Sequence, residues 1–217
     1  MGIVEAAMTW YAYSWAWQLH EVVCAFLENT LVPAGESTPA PVPLAVIELI
    51  LEGVQRDSSP RTLEALAVRQ MSPPVLEARI SALVAIMQSP GNLERVGAAK
   101  GEGALLAALA AHGANPRVCA QACLALSAMS QRAQGRANVR RQHGVGAVLK
   151  AFDAHRAGPE VQTHALALLA ALVEGSRSMQ AAFRKAHGPA LLDSARHPAL
   201  GRENTRVAAG ILRECAR

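Results

Sequence analysis

Aromatic side chains make up only 4% of this 217-residue chain, so its interior cannot be organised around large rings. Alanine, leucine and valine remain as core material, which suits helices packed close together and predicts an all-α fold. No Lys or Arg occurs before Arg56. A secretory signal begins basic and an organellar transit peptide is rich in arginine, so neither is expected here. The uncharged run from Ala6 to Leu19 is shorter than the ~20 residues a spanning helix needs. Its flanks, Glu5, His20 and Glu21, lack the Lys or Arg that would anchor such a helix, so membrane contact is not expected.

Cysteine is scarce as well. Cys24, Cys119, Cys123 and Cys215 show no metal-ligand spacing, and Cys119 and Cys123 fall one turn apart on a single expected helix. They read as buried thiols in a reducing, intracellular compartment, which for a soluble scaffold means the cytoplasm. No G-x-S-x-G elbow, H-E-x-x-H pair or paired-carboxylate motif is present. Gly101-Glu102-Gly103 has no preceding strand and no following G-K-[ST], so it reads as a tight turn between helices and not as a phosphate loop. Of the seven histidines, His112, His143, His155 and His187 sit at expected helix ends, where a cation interacts favourably with the helix dipole, and His164 lies on a long helix. The expectation is a non-enzyme with no catalytic residues, no metal site, no cofactor and no small-molecule substrate.

What the chain does have is periodicity. Ser72-Pro73, Asn115-Pro116 and Gly158-Pro159 lie 43 residues apart, each opening an alanine- and leucine-rich helical stretch. A shift of 43 also superposes Val75, Val118 and Val161; Leu83, Leu126 and Leu169; Ala104, Ala147 and Ala190; and Leu106, Leu149 and Leu192. A truncated fourth copy places Ala208 on Ala165 and Leu212 on Leu169. Ser, Asn or Gly at the N-cap followed by proline starts a helix without losing a hydrogen bond, because the first N–H has no partner within the helix. Each unit therefore resolves into two short helices and a longer third, the third running over 73–88, 116–131, 159–174 and 202–216. Val118, Ala122, Leu126 and Met129 form the core stripe of the second long helix. Units of 44–88, 89–131, 132–174 and 175–217 make up a repeat domain, 44–217. Such arrays present a continuous surface instead of a pocket.

Asn115-Pro116-Arg117-Val118 with Ala122-Cys123-Leu124-Ala125-Leu126, and His143-Gly144-Val145-Gly146-Ala147-Val148-Leu149 before the next copy, resemble the armadillo repeat. Gly158-Pro159-Glu160-Val161 with Ala165-Leu166-Ala167-Leu168-Leu169, and His187-Gly188-Pro189-Ala190-Leu191-Leu192, repeat the pattern. The resemblance covers about residues 60–217 and implies a right-handed α-solenoid of three to four three-helix units. It further implies a protein-binding scaffold, or a subunit of a larger assembly, with a groove along the third helices. Candidate groove positions are Ser81, Ala85, Gln121, Leu124, Ala128, Arg132, His164, Ala167 and Ala171. The asparagine that clamps extended peptides in this family is replaced by Ala85, Ala128, Ala171 and Glu214, and the tryptophan one turn earlier by Ser81, Leu124, Ala167 and Gly210. A flatter, more apolar groove suited to a helix or a folded surface is the consequence. Some chaperone regulators share armadillo-like folds, which gives an alternative by fold analogy alone.

Two features stand outside the repeat. Trp10, Tyr11, Tyr13, Trp15 and Trp17 cluster in an expected N-terminal helix within residues 1–30, which either caps the first repeat or docks on a partner. A Pro-rich linker, 31–43, follows it. Charge is also uneven: residues 1–100 carry six basic and ten acidic side chains, residues 101–217 fifteen and seven. Arg136, Arg140, Arg141, Lys150, Arg184 and Lys185 are read as a basic strip that either faces solvent or binds nucleic acid or another acidic surface.

Overall fold

The computed structural model describes residues 44–57, 74–194 and 201–216, and all regular structure among them is α-helical. The aromatic segment around Trp10–Trp17, the linker 31–43 and Ser72-Pro73 lie outside the described residues. Two compact units divide at Ala111/His112, between the second and third helices of the expected 89–131 unit.

The first unit contains α1 (Leu44–Asp57), α2 (Pro74–Ile86), α3 (Pro90–Ala98) and α4 (Gly101–Ala111). Helix α1 packs on all three others. Its stripe Ile47, Ile50, Leu51 and Val54 is buried with Leu76, Ile80 and Leu83 of α2 and Leu105 of α4. Within this apolar interior Arg79 is buried too, and its Nη1 donates to the Gly53 carbonyl at 3.0 Å. Glycine is required at 53 because a Cβ there would lie 2.5 Å from Arg79 Nε. Only the bare backbone lets α2's guanidinium reach α1.

The second unit contains α5 (Pro116–Ser130), α6 (Ala133–Arg141), α7 (Gly144–Ala154), α8 (Pro159–Val173), α9 (Arg177–Lys185), α10 (Gly188–Ser194) and α11 (Gly201–Cys215). Helix α8 packs between α5 and α11, while α7 contacts α6, α8, α9 and α10. Three 15-residue helices thus lie side by side, separated in the chain by pairs of shorter ones. The expected stripe Val118, Ala122, Leu126 and Met129 is buried, as are Val161, Ala165 and Leu169 in the same places on α8. A fully buried leucine contributes about 1.5–3 kcal/mol of transfer free energy, which explains why this face dictates the stacking.

Local starts follow elementary capping chemistry. Asn115 is extended, and its Oδ1 accepts from the N–H groups of Arg117 at 3.0 Å and Val118 at 3.3 Å. Pro116 and Pro159 occupy the first turn, where a missing N–H costs nothing. Helix α3 opens on Ser89-Pro90, the same kind of signal.

Two sequence expectations need correction. Gly101 and Gly103 are helical residues of α4, and the turn before it is made by Lys100 at φ 60°. His143 (φ 54°) and His187 (φ 59°) take the same left-handed conformation before α7 and α10. These two histidines are turn residues and not the last residues of their helices. The second correction concerns register. Short helices open at Pro90, Ala133 and Arg177, so the last interval is one residue longer than 43. The additional residue is accommodated in the turn at Gly175, whose φ of 60° glycine adopts freely. In the second short helices the equivalent buried positions are accordingly Leu105, Val148 and Leu192. Ala104 and Ala147 keep the same place in their helices, buried and half-buried, whereas Ala190 falls one residue out of register and is exposed.

Candidate binding face of the long helices

On α5 Gln121, Leu124 and Ala128 are half-buried; on α8 His164 and Ala171 are half-buried and Ala167 is exposed. Both sets are spaced three and four residues apart, which keeps them on one stripe of a helix. Helix α11 adds Val207, Gly210 and Glu214 at the next 43-residue step, and none of its three is fully buried. These nine positions occupy equivalent places on three helices that pack in the order α5–α8–α11. Val207 was not among the expected groove residues, although the step from Gln121 through His164 leads to it.

Ser81 and Ala85 are half-buried on α2 of the first unit. Arg132, one residue past the expected end of the second long helix, is the exposed, extended residue that precedes α6.

Chemically the face is shallow and nearly neutral at its centre. Small side chains at Ala128, Ala167, Ala171 and Gly210 leave the backbone ridges close to the surface, and one edge carries Arg117, Glu160 and Glu203 at equivalent places, with Glu214 near the end of α11. Burial lowers the His164 imidazole from its ordinary value of 6.5, and Glu160 one turn earlier pulls it the other way. A neutral His164 is the form the face favours near pH 7. At one edge Asn204 Nδ2 donates to Thr163 Oγ1 at 2.9 Å, tying α11 to α8.

Beneath the face the long helices are anchored by side chains that reach back to carbonyls. Gln162 Nε2 donates to Phe152 O at 2.7 Å and to His155 O at 3.0 Å. Cys119, 43 residues earlier, donates its thiol to His112 O at 3.8 Å and Gly113 O at 3.5 Å. Gly113 O also receives Nε2–H of His155 at 2.7 Å, so that nitrogen holds a structural bond. Cys119, Cys123 and Cys215 are buried free thiols. Desolvation raises Cys119 to about 11 and pushes Cys123 higher still, which keeps both protonated and poorly nucleophilic.

The basic strip divides into working and open residues. Arg136 Nη1 donates to Ser130 O at 2.9 Å and Gln131 O at 3.2 Å, closing the end of α5. Arg184 Nη1 does the same for Cys215 O of α11 at 2.6 Å. Arg140 Nη1 donates to Ser178 Oγ at 3.0 Å and joins α6 to α9, and Arg141 donates to Asn138 Oδ1. Lys150 and Lys185 are exposed.

Among the described residues, no three His, Cys, Asp or Glu side chains cluster to hold a metal ion, and no helix is long and apolar enough to cross a membrane. No protein-family model matches the sequence, and the curated proteins contain no match to it. The fold is similar to the crystal structure of an engineered protein from the Northeast Structural Genomics Consortium, with a TM-score of 0.61 and 17% identity over 100% of this chain and 97% of that one. At that identity the likeness concerns the fold alone.

Proposed function

We propose that this chain is a non-catalytic protein-interaction scaffold, built from armadillo-like three-helix repeats stacked as a right-handed solenoid, and that it serves as a subunit of a larger assembly. The observation that carries the reading is the shared outward face of α5, α8 and α11, where positions 121, 164 and 207, then 124, 167 and 210, then 128, 171 and 214 recur at the repeat interval. The order of short, short and long helices supports the repeat, with lengths of 9, 11 and 15 residues twice in succession along the chain. A shallow face of alanine and glycine admits another backbone closely and offers few directional polar groups, which suits a partner helix or folded surface over an extended peptide. Buried free thiols accord with a reducing compartment.

Affinity capture with the full chain and with Ala128→Arg/Ala171→Arg tests this. Two long cations placed on the face should remove the principal captured protein while the helical circular dichroism stays unchanged. Recovery of the same partner by both proteins would exclude this face.

A further inference from the structure

Helices α6 and α9 contain six basic residues, Arg136, Arg140, Arg141, Arg177, Arg184 and Lys185, and not one acidic residue. The carboxylates of the second unit lie elsewhere: on or beside the long helices at Glu160, Glu174, Glu203 and Glu214, and on the second short helices at Asp153 and Asp193. Asp153 is consumed by its ion pair with Arg156. None of the six cations is paired with a carboxylate among the described residues. Those with partners donate to backbone carbonyls, to a serine hydroxyl or to an asparagine amide.

The Arg140–Ser178 bond sets the last turn of α6 against the first turn of α9. Charges therefore follow one another from Arg140 and Arg141 to Arg177, and then, seven residues along α9 or roughly 10 Å on, to Arg184 and Lys185. Arg140, Arg141, Arg177, Arg184 and Lys185 are exposed. Unneutralised cations aligned this way repel one another and attract a polyanion.

We propose that the α6–α9 ridge is a second interaction surface, separate from the face of the long helices, and that it takes an acidic polypeptide segment. An extended chain carries carboxylates on one side every ~6.7 Å, so a segment of several acidic residues spans the roughly 10 Å between Arg177 and Arg184 and meets the ridge at more than one point. Nucleic acid is the weaker match. Phe183 of α9 and neighbouring Phe152 of α7 are fully buried, so the ridge lacks the exposed aromatics on which unpaired bases stack.

The test uses the full chain, a fluorescent oligoglutamate peptide of about 20 residues, and single- and double-stranded oligonucleotides of matched charge, read by anisotropy. Arg141→Glu/Lys185→Glu reverses two ridge charges that bridge no helices. Arg202→Glu/Arg206→Glu makes the same change in net charge on α11. Peptide affinity should fall about tenfold or more in the ridge variant and no more than about twofold in the α11 variant, and the salt dependence should flatten only in the ridge variant. Circular dichroism of both variants should match the parent. Equal losses in the two variants would reduce the effect to net charge and overturn the proposal. Unchanged peptide binding by the ridge variant would do so too, as would tighter binding of either oligonucleotide than of the peptide at the same salt concentration.

Discussion

The starts of α5 and α8 occupy equivalent places 43 residues apart, yet they are secured by opposite means. Helix α5 has Asn115, whose side chain satisfies two of the four free N–H groups at its N-terminus, and below it only the weak thiol donors of Cys119. Helix α8 has Gly158, which offers no cap, and instead Gln162, whose amide makes two short bonds to the carbonyls of Phe152 and His155. What recurs from one triplet to the next is the bonded carbonyl, His112 and then His155; the residue that bonds it is free to differ. The same holds at the other end, where Arg136 donates to Ser130 O and Gln180 to Val173 O. His112 O and His155 O each also accept a backbone N–H, from Asn115 and Gly158 at 2.9 Å, so the side-chain bond is a second one and its donor can vary without leaving the carbonyl unpaired.

The largest expected effect should show no difference between the two helices. Leu126→Ala and Leu169→Ala each remove a fully buried side chain at the same position. Each should cost about 2–5 kcal/mol by chemical denaturation. A cost below about 1 kcal/mol at either position would mean the two stripes are not equivalent.

Glycines give the next contrast. A Cβ on Gly188 would overlap the ring of Phe183, whereas one on Gly146 meets nothing within 4 Å. Gly188→Ala should therefore destabilise by about 1–3 kcal/mol, and Gly146→Ala should be neutral or stabilise by up to about 1 kcal/mol. Thermal melts of the two variants check this, and similar melting temperatures would contradict the close approach of α9 and α10.

The smallest effect addresses the anchors directly. Gln162→Ala should cost about 1–2 kcal/mol, because it removes the side-chain donor to the Phe152 carbonyl, while His155 O keeps the Gly158 N–H and the buried Oε1 of Gln162, itself without a donor, offsets part of the loss. Cys119→Ala should cost less than about 1 kcal/mol, since a thiol is a weak donor. Equal losses in urea titrations would show that α5 depends on its thiol as much as α8 does on its amide.

Helix type and order were legible from residues such as Asn115-Pro116 and Gly158-Pro159, because capping and the missing proline N–H act within one turn. The candidate positions Gln121, Leu124 and Ala128 came from the resemblance to the armadillo repeat, and on α5 they are half-buried. The Ala190 column slipped because identities at a shift of 43 cannot reveal that Gly175 absorbs an inserted residue. Arg136 and Arg184 read as solvent-facing charge, but their guanidinium groups close the carbonyl ends of α5 and α11.

By itself the sequence determined the short-range physics: that the repeat segments are helical, that α5 and α8 begin at Pro116 and Pro159, which side of α5 is apolar, and that basic charge gathers in the later half. Tertiary structure alone decided what those side chains meet. Hydrogen bonds such as Arg79 to Gly53, His155 to Gly113 and Arg140 to Ser178 join residues 26 to 42 positions apart. A bond across that distance depends on how helices pack in space, and no local preference encodes it.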